Sequence, residues 1–477
     1  MTPRNRCWLA ASFFMASGGL AAQSPAAPNP LLPPLPKPVL QAVPSGPTVP
    51  APPGPVEGKS LPVAPAAPAL PELPPTLPTG ELFNPGCTGC RDGTPGCQGS
   101  SCDLGDPKSR GPRHPVWVSY TQLLMFYQPT RTQFPFAVGN APGVASRTLL
   151  AGDGELGRFS AFQVAAGVWL NDRHTLGVAG DFFLSEQRSR FESASGGPGG
   201  LSIQRPFLDS VTGRPASIIV SNADAGQFNQ PLVTGSVATA VTARLASAGI
   251  ALQRNVYCTP TTRASLALGF RYYDLDESLS IYQSTINGDR VGATIGGKDL
   301  ALGSTVNLFD RVYTHNQFYG GELGGRVEHD FGIVTLGFAP RIAIGDMRQS
   351  VTASGLTTGT DITGAPISRV GGLLAAGGPG NGNLDRDVTN RISTATQLNA
   401  YVGVKLTDHL RTTIGYQFLY LNNVARPGQQ LDQIVNQRVV PVSGAFGGLS
   451  GQAGNRLTLD RDGFYAHGAT IAFELTY

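Results

Sequence analysis

Four cysteines stand close together in the stretch CTGCRDGTPGCQGSSC, and thiols at that density can bind a metal or form disulfide bonds. Cys87, Cys90, Cys97 and Cys102 could hold one zinc ion as thiolates, but their spacing matches no common zinc module. Disulfides are the default in an exported chain. We therefore predict two local disulfides, whose pairing the sequence leaves open, with Cys258 as the odd cysteine of the mature chain.

Three short acidic stretches could hold a hard cation, because calcium prefers carboxylate oxygens. None has the spacing of an EF-hand loop, so solvated carboxylates are the simpler interpretation. No arrangement of Ser, His and Asp that would support nucleophilic catalysis stands out. We therefore expect no enzyme activity, no metal and no cofactor. The acidic residues are Asp274, Asp276, Glu277, Asp385, Asp387, Asp460 and Asp462.

The first 21 residues have the three parts of a signal peptide: basic residues at Arg4 and Arg6, an apolar run, and small residues before a cleavage site after Ala21. Beyond them no apolar run is long enough for a transmembrane helix. Charged residues make up 14% of the chain, against roughly 25% in soluble domains. A net charge of +3 gives no argument for nucleic acid as a partner. An exported chain with few charges is typical of a protein that exposes apolar surface to lipid.

Two segments separate the signal peptide from the remainder of the chain. Residues 22–86 are rich in proline, which excludes helices and sheet ladders and favours an extended, disordered linker. Residues 87–115 form the Cys-rich segment, which we place in the periplasm. From residue 116 to residue 477 the sequence has the two-residue pattern that is typical of β-strands.

Ten predicted strands alternate between long and short connections. Thirty- to forty-residue loops argue against a compact soluble domain but suit the external side of an outer-membrane barrel. The sequence therefore predicts an all-β fold, an antiparallel transmembrane β-barrel with long external loops and short periplasmic turns. The predicted strands are 117–128, 159–170, 174–191, 236–254, 263–282, 310–330, 333–351, 391–406, 410–421 and 463–477.

Strict two-residue alternation continues to the last residue, in ATIAFELTY at 469–477. In lipid every backbone polar group needs an internal partner, so a spanning sheet must close on itself, with its apolar face to lipid and its polar face to the lumen. We expect this last strand to seal the barrel, and its terminal aromatic resembles the signal that barrel-assembly machinery recognises. The charged lumen positions are pore-lining candidates: Asp181, Arg271, Glu322, Arg326, Glu328, Arg341, Lys405, Arg411 and Glu474.

Several stretches resemble a family of putative beta-barrel porins abundant in planctomycete-type bacteria, the group numbered seven. They are GRFSAFQVAAGVWLNDRHTLGVAGDFFL (157–184), GFRYYDLDESLSI (269–281), NQFYGGELG (316–324) and TDHLRTTIGYQFLYLNNVARPGQQLDQIVN (407–436). The resemblance spans most of 117–477. It implies an outer-membrane barrel with a porin role, and it carries over no catalytic or ligand-binding residue.

Two functions compete on this evidence. The first is a porin for passive diffusion of small hydrophilic solutes, with a weak anion preference set by the lumen charges. The second is a non-conducting barrel that anchors external loops and a periplasmic Pro-rich tether, because a barrel of about ten strands is narrow enough for side chains to fill. Expected partners are outer-membrane lipid, the assembly machinery and, through the Pro-rich segment, cell-wall or periplasmic components.

Overall fold

The computed structural model describes residues 116–152, 154–171, 174–224, 232–286, 294–377, 382–447, 457 and 459–477. The predicted signal peptide, Pro-rich linker and Cys-rich segment, including Cys87, Cys90, Cys97 and Cys102, lie outside the described residues and stay predictions. In the described part of the chain, no helix is long and apolar enough to cross a membrane.

Ten strands form a closed antiparallel ring, in which each strand pairs with the next along the chain and the last pairs with the first. Closure places Trp117 opposite Thr476 and Phe126 opposite His467. The predicted antiparallel barrel of ten strands is confirmed. The strands are β1 Val116–Tyr127, β2 Arg158–Trp169, β3 Leu176–Ser185, β4 Thr234–Cys258, β5 Thr262–Ile286, β6 Thr305–Phe331, β7 Val334–Thr360, β8 Arg386–Lys405, β9 Leu410–Ala425 and β10 Arg461–Thr476.

Four consecutive strands are far longer than a membrane requires. β4 and β5 have 25 residues each, and β6 and β7 have 27, whereas about 9–11 tilted residues span a bilayer. Beside them, β3 has only 10 residues. One side of the barrel therefore rises well above the membrane, which the shorter predicted strands had missed.

The predicted strand 174–191 is divided in two. β3 ends at Ser185, and a separate strand, Arg188–Gly196, continues along the upper part of β4. The pairing of Leu184 with Ala246 and of Arg188 with Ala243 leaves an extra residue on the β3 side. Such a bulge bends an edge locally and explains why one run of sequence forms two strands.

A band of exposed apolar side chains marks the membrane-spanning part of the barrel. On β5 the band consists of Leu266, Leu268 and Phe270, all on the outer face. The rings of Tyr272 and Tyr319 pack together directly above it, with centroids 5.1 Å apart. Because aromatic residues gather at the interfaces of outer-membrane barrels, we take this pair as part of the external aromatic girdle.

The described residues of five long connections lie at the end opposite the short turns: L1 (128–157), L2 (186–233), L3 (287–304), L4 (361–385) and L5 (426–460). L1, L2 and L5 build one small sheet over the barrel. Its strands are Ala137–Asn140, Arg147–Leu150, Ser202–Asp209, Pro215–Ser221 and Ile434–Val435. The other loop elements are strands Thr294–Ile295, Lys298–Asp299 and Pro366–Val370, and 3-10 helices Pro427–Gln429 and Gln437–Val439.

Candidate functional site: the barrel interior

A first group of charged side chains crosses the lumen at the level of the membrane. Arg271 on β5 donates hydrogen bonds to Asp181 on β3, at 2.6 and 2.8 Å, and to Glu322 on β6 at 2.6 Å. Arg341 on β7 reaches the same Asp181 carboxylate at 3.0 Å. A Cβ atom at Gly249 would clash with the guanidinium of Arg271, so glycine makes room for this buried cation. Two cations and two anions here neutralise each other.

A second group lies nearer the periplasmic end. Arg411 on β9 reaches Glu328 on β6 at 2.9 Å and Glu474 on β10 at 3.2 Å. The hydroxyl of Tyr401 donates to Glu328 at 2.7 Å. The ammonium of Lys405 lies 3.8 Å from Asp330 at the same end of the barrel. These contacts tie strands together across the lumen, since β7 and β8 separate β6 from β9.

At membrane level the inner face carries an acidic residue that was not among the pore-lining candidates. Asp330 is in phase with Glu328 and is the last residue of the predicted strand 310–330, beside the predicted turn at 331–332. With Asp330, five cations and five anions are named on the membrane-level inner face, and Arg263, opposite Glu328 in the pairing of β5 with β6, adds a further cation in the same phase. The expected weak anion preference stays a prediction. The ten residues are Arg271, Arg326, Arg341, Lys405 and Arg411 against Asp181, Glu322, Glu328, Asp330 and Glu474.

Above the charged groups, apolar inner-face side chains fill the barrel. Every strand contributes one of them, and none exposes more than 5% of its surface. We call this set the apolar plug. A water-filled passage would wet some of these side chains, so the part of the chain that the structure describes leaves no continuous aqueous path here. The plug residues are Met125, Phe159, Phe183, Leu245, Leu275, Phe318, Met347, Ala395, Leu419 and Ala466.

The plug is closely packed. The rings of Tyr127 and Phe159 stack with centroids 3.8 Å apart. The hydroxyl of Tyr273 on β5 donates across the interior to Gln397 on β8 at 3.2 Å. A cavity of about 10 Å³ borders both of these polar side chains together with Met125 and Leu419, which is room for about one water molecule.

A sequence signal for the plug existed in β1. Its upper half reads LLMFY, residues 123–127, where apolar residues occupy both phases of the strand. Leu124 and Phe126 are exposed on the outer face, while Leu123, Met125 and Tyr127 are buried inside. A polar lumen would have required polar residues at the inner positions, so the loss of alternation indicated a filled interior.

A third level of buried charge fixes the external loops into the mouth. Arg426 in L5 pairs with Glu277 on β5 at 2.7 Å, and Arg205 in L2 pairs with Asp310 on β6 at 2.8 Å. The second oxygen of Asp310 accepts from two backbone amides of L4 at 2.9 and 2.8 Å. Buried ion pairs therefore hold L2 and L5 to the barrel wall, and hydrogen bonds to Asp310 hold L4.

The acidic stretch DLDE does not form one calcium site, because alternation divides it. Glu277 points inwards to Arg426, whereas Asp274 and Asp276 point outwards above the girdle. There His315 Nε2 lies 2.9 Å from Asp274, and Tyr313 donates to Asp276. The ligand atoms of Asp274, Asp276 and His315 lie within 4.8 Å of one another. The neighbouring Asp274 carboxylate raises the pKa of His315, so the two side chains form an ion pair while the imidazole is protonated.

Comparison with known proteins finds one family model and several distant structural matches. A protein-family model described as Putative beta barrel porin-7 (BBP7) matches residues 136–477. Among solved structures, outer membrane protease OmpT from Escherichia coli matches with a TM-score of 0.32 and 10% identity over 76% of this chain and 96% of that chain. An anion-selective porin from Comamonas acidovorans matches with a TM-score of 0.13 and 8% identity over 76% and 100%. No curated protein matches the sequence.

Proposed function

This chain belongs to the putative beta barrel porin-7 family, and we propose that it works as a closed, non-conducting barrel of the outer membrane that holds a folded external surface in place. The observation that carries the proposal is the apolar plug, to which all ten strands contribute a buried side chain. Passive diffusion of hydrophilic solutes would need a wet path through that level.

The plug is costly to open. Burying one large apolar side chain contributes about 1.5–3 kcal/mol, so wetting five of the plug residues would cost on the order of 10 kcal/mol. That estimate disfavours a spontaneously open state. The tight stacking of Tyr127 on Phe159 adds a contact that an opened barrel would lose.

The lumen charges support closure as well. A selectivity filter needs charges that face water, whereas Arg271, Asp181 and Glu322 are paired and almost fully buried. Removing one partner of a buried pair is strongly destabilising, so such groups act as cross-links between strands. We propose that the charged groups hold the barrel in shape at membrane level and do not select ions.

The external half of the barrel is built to hold its loops in a fixed position outside the membrane. β4 to β7 extend beyond the membrane. L2, L4 and L5 are fixed to the inner faces of β5 and β6 through Glu277 and Asp310. A rigid platform of this kind presents loops to the outside without needing a pore. We propose no enzymatic activity, and the periplasmic role of the Pro-rich segment stays a prediction.

Planar-bilayer recording of the refolded barrel tests the proposal. We expect no unitary conductance above the lipid background from the wild type. A plug variant with Phe159→Ala, Phe183→Ala and Phe318→Ala should produce conductance events because it removes three inner rings.

A matched control removes three phenyl rings from the outer face, with Phe162→Ala, Phe182→Ala and Phe338→Ala, and should remain silent. Steady single-channel steps from correctly folded wild-type protein would instead establish passive diffusion and refute the closed barrel.

A further inference from the structure

A pocket of about 210 Å³ opens at the external mouth of the barrel. The inner faces of β5 and β6 form one wall through Gln283, Thr285 and Leu308. Residues of L2, L3, L4 and L5 complete it, among them Ile218 and Leu373. The pocket is smaller than the ~300–1,000 Å³ of sites for drug-sized ligands, so its occupant must be small.

The lining is uncharged. Among the described residues around the pocket, aliphatic side chains such as Leu308 and Val440 alternate with hydroxyl and amide groups such as Ser217, Thr285 and Gln437. A charged ligand would lose hydration here without meeting an opposite charge. The lining therefore favours a neutral molecule over an ion.

Hydrogen-bonding capacity is present on the barrel wall. The side-chain amide of Gln283 donates to Thr285 Oγ1 at 3.2 Å, so the Thr285 hydroxyl hydrogen can be donated to another acceptor. Gln283 is itself held by Arg205, which donates to its carbonyl oxygen at 3.3 Å. A half-buried donor beside aliphatic surface suits a ligand with one polar edge and one apolar face.

The walls of the pocket are already in place. Asp310 binds Arg205 of L2 and two backbone amides of L4, and the amide of Gly296 in L3 donates to the carbonyl of Pro441 in L5 at 2.8 Å. Four loops are thereby joined to the barrel or to each other around the cavity. Pre-organisation lowers the ordering cost of binding, which matters most for a small ligand.

We propose that this pocket is a binding site for a small uncharged amphipathic molecule, an alcohol with a compact aliphatic ring or chain, which donates and accepts at Thr285 and packs against Leu308 and Val440. The site lies above the plug and needs no passage through it. The proposal therefore holds whether or not the barrel conducts.

Cyclohexanol tests the proposal, with cyclohexanecarboxylate and cyclohexylamine as matched charged probes of the same ring. Binding is measured by saturation-transfer NMR titration on the full barrel in lipid nanodiscs. We expect cyclohexanol to saturate at about 1 mM, in keeping with its few atoms. Both charged probes should bind at least about tenfold more weakly, because the pocket offers no counter-charge.

Three variants assign the signal to the pocket. Gly444 and Ser217 both line it, and a Cβ atom at Gly444 meets no neighbour within 4 Å, so Gly444→Trp and Ser217→Trp should block the pocket without repacking the barrel. Ile362→Trp, at an exposed position of L4 outside the lining, should leave binding unchanged. Equal signals from wild type and both blocking variants would show partition into lipid, and equal affinity of the carboxylate would also overturn the proposal.

Discussion

The lower and upper halves of this barrel are built with opposite polarity. At membrane level β5 exposes Leu268 and Phe270 to lipid and points Arg271 into the lumen. Higher on the same strand, Asp276 faces outwards and Leu279 is buried inside. Side chains along β5 still alternate between the inner and outer faces of the barrel. In the lower half the outer face is apolar and the inner face is polar, and in the upper half this order is reversed. The surroundings of each half account for this reversal. Outside, the lower half faces lipid and the upper half faces water, and inside, the upper half is filled by apolar side chains.

Because the polar and apolar faces are swapped, the two halves of the barrel are stabilised in different ways. Below the girdle the interior is polar, and its stability depends on buried ion pairs that connect strands across the lumen. Above the girdle the interior has the character of a soluble protein core. Such a core fills the lumen of the barrel. A chain of a porin-like family can therefore lack an aqueous path through its described residues.

The largest effect is expected from breaking the lower interior. Arg271→Ala would leave Asp181 and Glu322 buried without their main partner, and such a loss costs about 3–5 kcal/mol. We expect the variant to assemble poorly and to unfold at a lower urea concentration.

The control for this change is Arg188→Ala. Arg188 forms an ion pair with Glu186 at 3.5 Å, but both side chains are more than 40% exposed. Screening by water should limit its effect to about 1 kcal/mol or less. Similar unfolding midpoints for the two variants would show that the buried network is not structural.

Breaking the upper core is expected to be nearly as costly. Leu279 is fully buried on the inner face of β5, so Leu279→Ala removes packed atoms and leaves a cavity, at about 2–5 kcal/mol. Leu268→Ala, on the outer face of the same strand, should cost much less because lipid fills the space. Urea unfolding in detergent measures both. A larger loss for Leu268→Ala would contradict a packed core above the girdle.

A pair of arginine substitutions locates the boundary between the lipid-facing and the water-facing parts of the outer surface. Leu266 and Tyr282 are similarly exposed on the outer face of β5, on opposite sides of Tyr272. Leu266 lies deeper in the apolar band than Phe270, so Leu266→Arg should destabilise by about 2–4 kcal/mol if it lies near the bilayer midplane. Tyr282→Arg should cost about 1 kcal/mol, chiefly through its ring contact with Phe309. Equal losses in vesicle-based unfolding would place both positions in the same solvent.

The smallest effect is expected from the outer polar cluster. Asp274 raises the pKa of His315, so their pairing stabilises the fold fully below the ordinary histidine pKa of about 6.5 and is lost as pH rises through the raised value. His315→Gln should therefore lower stability by about 0.2–1 kcal/mol at pH 6 and by less at pH 9. A difference that grows with pH would contradict the assignment.

Much of the lower half could be predicted from the sequence. The alternating loop lengths separate ten strand patterns, and the alternation in ATIAFELTY indicates closure, because a sheet in lipid must pair every backbone polar group. The upper half could not be predicted in the same way. Strands such as β7 were predicted to end at 351, nine residues before Thr360, since polar residues on an outer face resemble the start of a loop. The pairings of Arg205 with Asp310 and Arg426 with Glu277 join residues about a hundred or more positions apart, which no local pattern specifies.

Thiol labelling along β5 tests the reversal of polar and apolar faces and the closed interior together. Single cysteines replace Phe270, Leu275, Leu279 and Tyr282 in turn, in a chain whose native cysteines are changed to serine, and a charged, water-soluble maleimide is added to folded protein in vesicles. We predict rapid labelling at position 282 only, because 270 faces lipid and 275 and 279 face the packed core. Labelling of 275 and 279 as fast as 282 would mean that water fills the upper lumen, and it would contradict the account.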